Sequence, residues 1–302
     1  SREERGTWWG IWSTAHTVGA SIISLLGPII GGYMGWRWAF YLPGGLCILA
    51  GLLLICLLRD TPESLGLPTI ESYSDKKMSS SEQKTKAYEH ETVRELSVKE
   101  ILLTYVLTNR FIWILALAYF FIYILREGVS EWTNMYLVEK FSFTPIKANS
   151  YLMLFEVGGF VGTLLTGWLS DFFFRGYRAR LCVFFSVAAI LPVYGMWYVK
   201  VDQTVIMAIY MLAAGLFIYG PQMLIGLAAA ELSHKKAAGT ATGFVGAFAY
   251  AGGAVAGQPI GKFIDLFGWD IYFKILIGCG LVAGVILFPL WSVKARKQST
   301  TS

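Results

Sequence analysis

The strongest constraint on this chain is the recurrence, from one end to the other, of apolar stretches about twenty residues long. A bilayer core about 30 Å thick is crossed by roughly 20 predominantly apolar residues in helical form, with about 17 to 25 the usual range. Eight stretches meet that length: 8 to 32, 38 to 58, 111 to 137, 148 to 170, 181 to 199, 204 to 231, 237 to 261 and 271 to 293. Composition agrees, since 55% of the 302 residues are apolar and only 15% charged, whereas soluble domains carry about 25% charged residues. A secretory signal is short, N-terminal and followed by a polar mature chain, but here the apolar stretches continue to the end. The first residues, Ser1 to Arg5, are polar or charged and include no initiator Met, so the sequence reads as starting inside a longer protein.

Lys and Arg concentrate on the cytoplasmic side of membrane proteins, which sets the orientation. With the N-terminus cytoplasmic, one set of loops holds Arg2, Arg5, Arg59, Lys76, Lys77, Lys84, Lys86, Arg94, Lys99, Arg110, Arg175, Arg178, Arg180, Lys235, Lys236, Lys294, Arg296 and Lys297. The opposite set holds Arg37, Lys140, Lys147, Lys200, Lys262 and Lys274. Long loops weigh little in this rule. Leaving out the long loop between Arg59 and Arg110 still gives ten against six, so both termini are expected in the cytoplasm.

The segment 59–110 differs in kind. It begins Asp60-Thr-Pro-Glu63 and continues through a Ser, Lys and Glu rich run from Ser72 to Thr92, a composition that cannot bury enough apolar area to build a core. It is expected to be a mobile cytoplasmic linker. Two spans precede it and six follow, and many carriers join two six-helix halves through such a loop. The expected organisation is therefore 1–58 as the last two helices of an N-terminal half, 59–110 as linker, 111–294 as a six-helix C-terminal half and 295–302 as a cytoplasmic tail, with four spans missing before Ser1.

Cys47, Cys56, Cys182 and Cys279 all lie in apolar runs without the paired spacing of a zinc site or disulfide framework. They are expected to be small packing residues. The net charge of +5 is spread through short loops and forms no contiguous basic patch, which argues against nucleic acid as a partner. Glycines recur at 243, 246, 253 and 257 with Tyr250 among them, and again at 158, 159, 162 and 167, a pattern that lets membrane helices approach closely.

Ionisable groups inside a span are costly and by default functional. His16, Arg126 and Glu156 stand out. Arg126 lies about 15 residues into its span, roughly 22 Å along a helix rising about 1.5 Å per residue. Tyr119, Tyr123, Arg126 and Ser130 follow helical spacing and share a face. A guanidinium among hydroxyls suits a phosphate, whose oxygens accept its paired N–H groups. The alternative role for Arg126 is a structural ion pair with Glu156 or Glu131, and both roles can hold if the carboxylate balances the charge while the site is empty. His16 shares a mixed face with Trp12 and Ser13, as in a cavity wall, although a lone His can equally bond a carbonyl of a neighbouring helix. At the cytoplasmic end of the fourth span, Gly167-Trp-Leu-Ser-Asp171 is followed by Arg175-Gly-Tyr-Arg178, so Asp171 can pair with Arg175 and Arg178 as a gate.

The Gly167 to Arg178 segment resembles the loop signature of the major facilitator superfamily. Three further blocks are more specific: Glu4-Arg-Gly-Thr-Trp-Trp-Gly-Ile-Trp12-Ser-Thr-Ala-His16, Arg59-Asp-Thr-Pro-Glu-Ser-Leu-Gly-Leu-Pro68, and Tyr219-Gly-Pro-Gln-Met-Leu-Ile-Gly226 followed by Lys235-Lys-Ala-Ala-Gly239. Together they resemble the organophosphate:phosphate antiporter family, nearest its bacterial hexose-phosphate branch, which includes transporters and a transporter-like sensor. The resemblance implies an all-α membrane fold of the major facilitator type, with eight of its helices in this chain, set in a bacterial inner membrane. It implies that His16 and Arg126 contribute to phosphate binding, with Tyr123, Tyr219 and Tyr250 as cavity tyrosines and a second arginine outside this sequence. Ser13 departs from the Asn common beside that histidine.

The implied activity is exchange of a sugar phosphate for inorganic phosphate by alternating access, without a cofactor, in a monomer surrounded by lipid. The alternative is a receptor in which the same cavity binds hexose phosphate and a membrane partner reads the movement. A phosphate-ester enzyme would need a metal cluster or an activated nucleophile. With three His, of which His90 and His234 lie in or beside loops, the sequence offers neither.

Overall fold

The computed structural model describes residues 5–59, 62–67, 98–174, 177–234 and 237–293. Among these residues the secondary structure is helical, with no strand: α1 (Arg5–Met34), α2 (Trp38–Leu57), α3 (Arg110–Phe141), α4 (Pro145–Phe172), α5 (Arg178–Ala188), α6 (Ile190–Tyr198), α7 (Thr204–Leu232), α8 (Ala238–Ala256), α9 (Gln258–Phe267) and α10 (Trp269–Leu287). Seven segments are long and apolar enough to cross a membrane, with α5 and α6 forming one of them from Arg178 to Tyr198. They meet at Ala189, whose backbone stays right-handed helical, just before Pro192, which has no N–H to offer the preceding turn.

The stretch expected to span at 237–261 is not among those seven. It folds as the 19-residue α8 and the 10-residue α9, which meet at Gly257, where ψ is −117°. Gly, Ala and Thr dominate α8 and carry little apolar surface per residue. Most of the expected linker lies outside the described residues. Within it, Pro62–Leu65 make a 3-10 turn, and Val98–Ile101 run into a π-helical turn at Leu102–Val106 whose last residue is buried.

Two compact units divide the chain: Ser1–Ile29 with Val98–Ser302, and Ile30–Ser97. In the second, α2 holds no buried residue, and Cys47 and Cys56 are exposed on it. The first unit contains the core. Side chains cap the N-termini of α3 and α4. Asn109 accepts the Phe111 N–H at 3.0 Å to cap α3, and its amide donates to the Leu232 carbonyl at 3.0 Å, satisfying the end of α7. Thr144 caps α4 by accepting from the Lys147 N–H, with Pro145 at the first helical position.

The core of this unit is two apolar clusters, and α3, α7 and α10 each pass from one to the other. On α3, Ile112, Leu115 and Ile122 belong to one cluster, and Leu125, Tyr136 and Phe141 to the other. On α7 the change falls between Tyr219 and Met223, and on α10 between Cys279 and Ala283. The buried Arg126 and Glu156 lie close to the plane where the clusters meet, so a polar belt separates two oily layers.

Helices approach closely where glycine removes the side chain. A Cβ at Gly158 or Gly162 would overlap the backbone of Leu212 or Leu216, and one at Gly215 would overlap the Phe155 carbonyl. The stripe expected on α8 behaves differently. Gly252 abuts the Phe120 carbonyl, whereas Gly243 and Gly246 have no atom of the described residues within 4 Å of a Cβ position. Substituting Gly215→Ala should therefore overpack the α4–α7 contact and cost about 1 to 3 kcal/mol. Gly226→Ala, where the same test finds open space, should be neutral or gain up to about 1 kcal/mol in helix propensity. Melting temperatures of the two variants in detergent check this, and equal behaviour would contradict the packing assignment.

Candidate functional site

The polar belt is organised around Arg126 on α3, which is 7% exposed. Its Nη2 lies 2.7 Å from Nε2 of His16 on α1. Arginine donates and never accepts, so Nε2 is the acceptor and this nitrogen of His16 carries no proton. Nη1 is bonded to the Glu127 carboxylate. The guanidinium carbon stands 5.1 Å from the Tyr219 ring centroid and 5.6 Å from that of Tyr123, within cation–π range. Its Nε is buried and has no hydrogen-bond partner.

A second layer positions the first. Tyr219 of α7 donates to Glu156 Oε2 of α4 at 2.6 Å, fixing the ring under the guanidinium. Gly159 makes room for that ring, since a Cβ there would run into it. Tyr123 meets Tyr119 edge-on with centroids 4.9 Å apart and Tyr250 of α8 at 5.8 Å. Gln222, one turn beyond Tyr219, donates to the Tyr123 hydroxyl at 3.4 Å, while its Oε1 is buried without a partner.

The structure thus brings together Arg126, His16, Tyr123, Tyr219 and Tyr250 from four helices. It does not bring Glu131 or Glu156 onto Arg126, the pairing considered from sequence. Glu127 takes that position, Glu156 is engaged by Tyr219, and Glu131 lies a turn further along, beside Gly257. Trp12 is 72% exposed and edge-on to Trp9. Neither Trp12, Ser13 nor Ser130 shares a hydrogen bond or ring contact with the Arg126 cluster among the described residues. Sequence reasoning missed Glu127 and Gln222. Adjacent helical residues point to different faces, so spacing gave no sign of Glu127, whereas Gln222 stands three residues after Tyr219 on the same face and was open to detection.

A second ionic cluster gathers at the other end of α4. Asp171 bonds Arg178 Nη1 at 2.5 Å, and Glu231 of α7 takes the guanidinium in a two-point grip at 3.0 and 3.1 Å. Ser170 accepts from Nη1 at 2.6 Å. Asp171 also accepts the backbone N–H groups of Gly6 and Thr7 at 3.2 and 2.7 Å, with the Thr7 hydroxyl at 3.0 Å. These N–H groups belong to the first turn of α1, where a helix lacks internal acceptors and favours negative charge. Close approach of α1 to α4 here depends on Gly6 and Gly167, each abutting the other's backbone. Arg175, expected in this cluster, lies outside the described residues, and Glu231 was not foreseen.

Comparisons with known proteins follow the same lines. The family model described as Major Facilitator Superfamily matches residues 1–257. The chain is 47% identical, over 99% of its length and 66% of the relative's, to the "Probable hexose phosphate transport protein" of Chlamydia muridarum. It is 38% identical to the "Membrane sensor protein UhpC" of Salmonella typhimurium, over 99% of the chain and 66% of that protein. It is also 33% identical to the "Hexose-6-phosphate:phosphate antiporter" of Salmonella typhimurium, over 98% of the chain and 65% of that protein. The chain therefore spans about two thirds of the length of these relatives.

The side chains of Arg178, Asp171 and Glu231 are 5, 9 and 8% exposed, so removing one charge leaves another poorly solvated. Breaking a buried pair costs about 3 to 5 kcal/mol. Glu231→Gln should fall at the low end, about 3 kcal/mol, because Asp171 still holds the guanidinium. A melting series on Glu231→Gln and Arg178→Met checks this, since Arg178→Met strands both carboxylates and should cost more than Glu231→Gln.

Proposed function

The chain belongs to the Major Facilitator Superfamily, in its organophosphate:phosphate antiporter branch, and on that premise we propose that it forms the substrate-binding core of a carrier exchanging a sugar phosphate for inorganic phosphate. The observation that carries this reading is Arg126, a buried guanidinium flanked by Tyr123, Tyr219 and His16 with its Nε left unpartnered. Phosphate oxygens match the planar N–H fork, and the ring faces exclude water around it. One cationic site of this kind serves both anions in turn, which is what exchange requires.

In the proposed cycle, phosphate takes the place of His16 on Arg126, while Asp171, Arg178 and Glu231 hold the cytoplasmic end of α1 closed. Opening to the cytoplasm releases the Gly6 and Thr7 N–H groups from Asp171. The protein is proposed to lie in a bacterial inner membrane as a monomer, with both ends of this sequence cytoplasmic, the linker at 59–110 between two halves, and Glu131 and Glu156 as balancing charges. Tyr250, Trp12 and Ser13 are assigned to the cavity wall beyond the phosphate.

Similarity to the membrane sensor UhpC favours a second reading, in which the same cavity binds hexose phosphate and a partner protein reads the movement. Labelled phosphate separates the two. A carrier shows counterflow in proteoliposomes of the full-length protein, and a pure receptor binds without flux.

Orientation is tested with an impermeant maleimide on intact cells, using single cysteines in a cysteine-free background. Asp202→Cys, between α6 and α7, should label from outside. His234→Cys, after α7, should label only once the membrane is opened, and the reverse pattern would overturn the orientation. The phosphate assignment is tested by Arg126→Lys, which keeps the charge and removes the fork. Affinity for phosphate and sugar phosphate should fall together by about 1.5 to 3 kcal/mol, the usual worth of a hydrogen bond to a charged group. That is roughly ten- to a hundredfold. Unchanged affinity per folded molecule for both anions would sink the assignment.

A further inference from the structure

Glu127 is the group in the polar belt that a simple anion site does not need. It places a carboxylate on the cation that would bind the anion, and the adjacent position on a helix is not one from which two side chains ordinarily meet. Gly253 of α8 faces this point, and a Cβ there would stand 3.4 Å from Glu127 Cγ and 3.9 Å from Tyr123 Cδ1, an ordinary contact, so the opposite wall leaves Glu127 room to fold toward Arg126. Its side chain keeps 22% of its surface open, against 8% for Arg126, so it borders the cavity and is not sealed behind the arginine.

An ionised carboxylate only accepts hydrogen bonds. With Glu127 in place, the charges on Arg126 and Glu127 cancel, and the cavity offers the ligand a cation on one side and an acceptor on the other. Gln222 Oε1 is a second acceptor without a donor. A phosphate monoester carrying one proton meets both demands, because its oxygens take the guanidinium while its P–OH donates to Glu127. The fully ionised ester has no proton to give and sets a second negative charge against the carboxylate. We propose that Glu127 is a specificity-determining residue that selects the singly charged, protonated form of the phosphate over the doubly charged form. This rests on Arg126 being the phosphate site.

Several groups share the surroundings of Glu127 and could add pH dependence of their own: His16 from α1, Tyr123, Arg126 and Glu131 from α3, and Glu156 from α4 all sense its charge. Tyr219 and Gln222 from α7 and Tyr250 from α8 complete the ring. The test therefore needs a ligand whose charge does not change. Glucose 6-sulfate is a monoanion throughout, whereas glucose 6-phosphate loses its second proton near pH 6, as phosphate monoesters do (about 6). Binding of each to the full-length protein is measured between about pH 5 and 8, and the sulfate profile removes the contribution of His16 and its neighbours.

In the wild type, affinity for glucose 6-phosphate relative to glucose 6-sulfate should fall by about tenfold across this range, equivalent to about 1.4 kcal/mol. Glu127→Gln should abolish that relative fall, and Glu127→Asp, which retains the carboxylate, should keep most of it. Parallel profiles for wild type and Glu127→Gln would overturn the inference, as would a wild type with no relative fall. Arg126→Lys serves as the separate arm. If it leaves glucose 6-phosphate binding unchanged, the phosphate-site reading fails and this inference with it. If it weakens binding while Glu127→Gln changes nothing, only the selectivity role is lost. Should Glu127→Gln not fold, Glu127→Ala removes the same carboxylate and should likewise abolish the relative fall, and an unaltered fall there would count against the proposal.

Discussion

A permanently charged guanidinium near the middle of a hydrocarbon layer, costing about 2.5 to 3.5 kcal/mol to insert, must be surrounded by groups that accept its protons or face it with electron-rich rings. Much of the first unit is arranged to meet this demand. His16 and Glu127 take the two terminal nitrogens, the rings of Tyr123 and Tyr219 take the faces, and Glu156 holds Tyr219 from behind. The apolar clusters on either side keep water from competing. Where α3, α7 and α10 each pass from one cluster to the other, polar side chains can meet without exposing themselves to lipid.

The same physics recurs at the end of α4 with a different outcome. Arg178 is matched by two carboxylates, so the cluster carries a net negative charge and spends it on the first N–H groups of α1. Around Arg126 the buried Nε is left without a partner, while each guanidinium nitrogen of Arg178 is engaged by Asp171, Glu231 or Ser170. A surplus donor is what a ligand needs. A closed network is what a fastening needs, and the two clusters differ in the respect that separates binding from holding.

How far the sequence disclosed this depended on the kind of signal. The cost of placing an ionised group in lipid made Arg126, His16 and Glu156 visible at once, and length and apolar content marked eight stretches as spans. The stretch 237–261 is the one outside the seven helices long and apolar enough to cross, because its helix breaks at Gly257 and its Gly, Ala and Thr add little apolar surface. Which carboxylate would meet Arg126 was not legible, because side-chain torsions bring Glu127 across a gap that helical spacing alone would keep open. Glu231 was hidden for a similar reason, since its partner Arg178 comes from another helix. Spacing within a helix reports faces, and contacts between helices are set by packing.

These contacts meet on α1. A hydrogen-bonded helix is stiff along its axis, and His16 stands nine residues after Thr7, about 14 Å at about 1.5 Å per residue. Thr7 is fastened to Asp171 and His16 to Arg126, so the same rod touches both ionic clusters. Asp171 and Glu156 lie on α4 fifteen residues apart, about 22 Å by the same rise, so α4 also runs between the two clusters, its Glu156 reaching the guanidinium through Tyr219. A ligand that displaces His16 from Nη2 removes the hydrogen bond between α1 and α3 and leaves α1 fastened to α4 through Asp171. Coupling between the Arg126 cluster and the N-terminal end of α1 then needs no chain of small adjustments through the core, because one stiff helix touches both clusters.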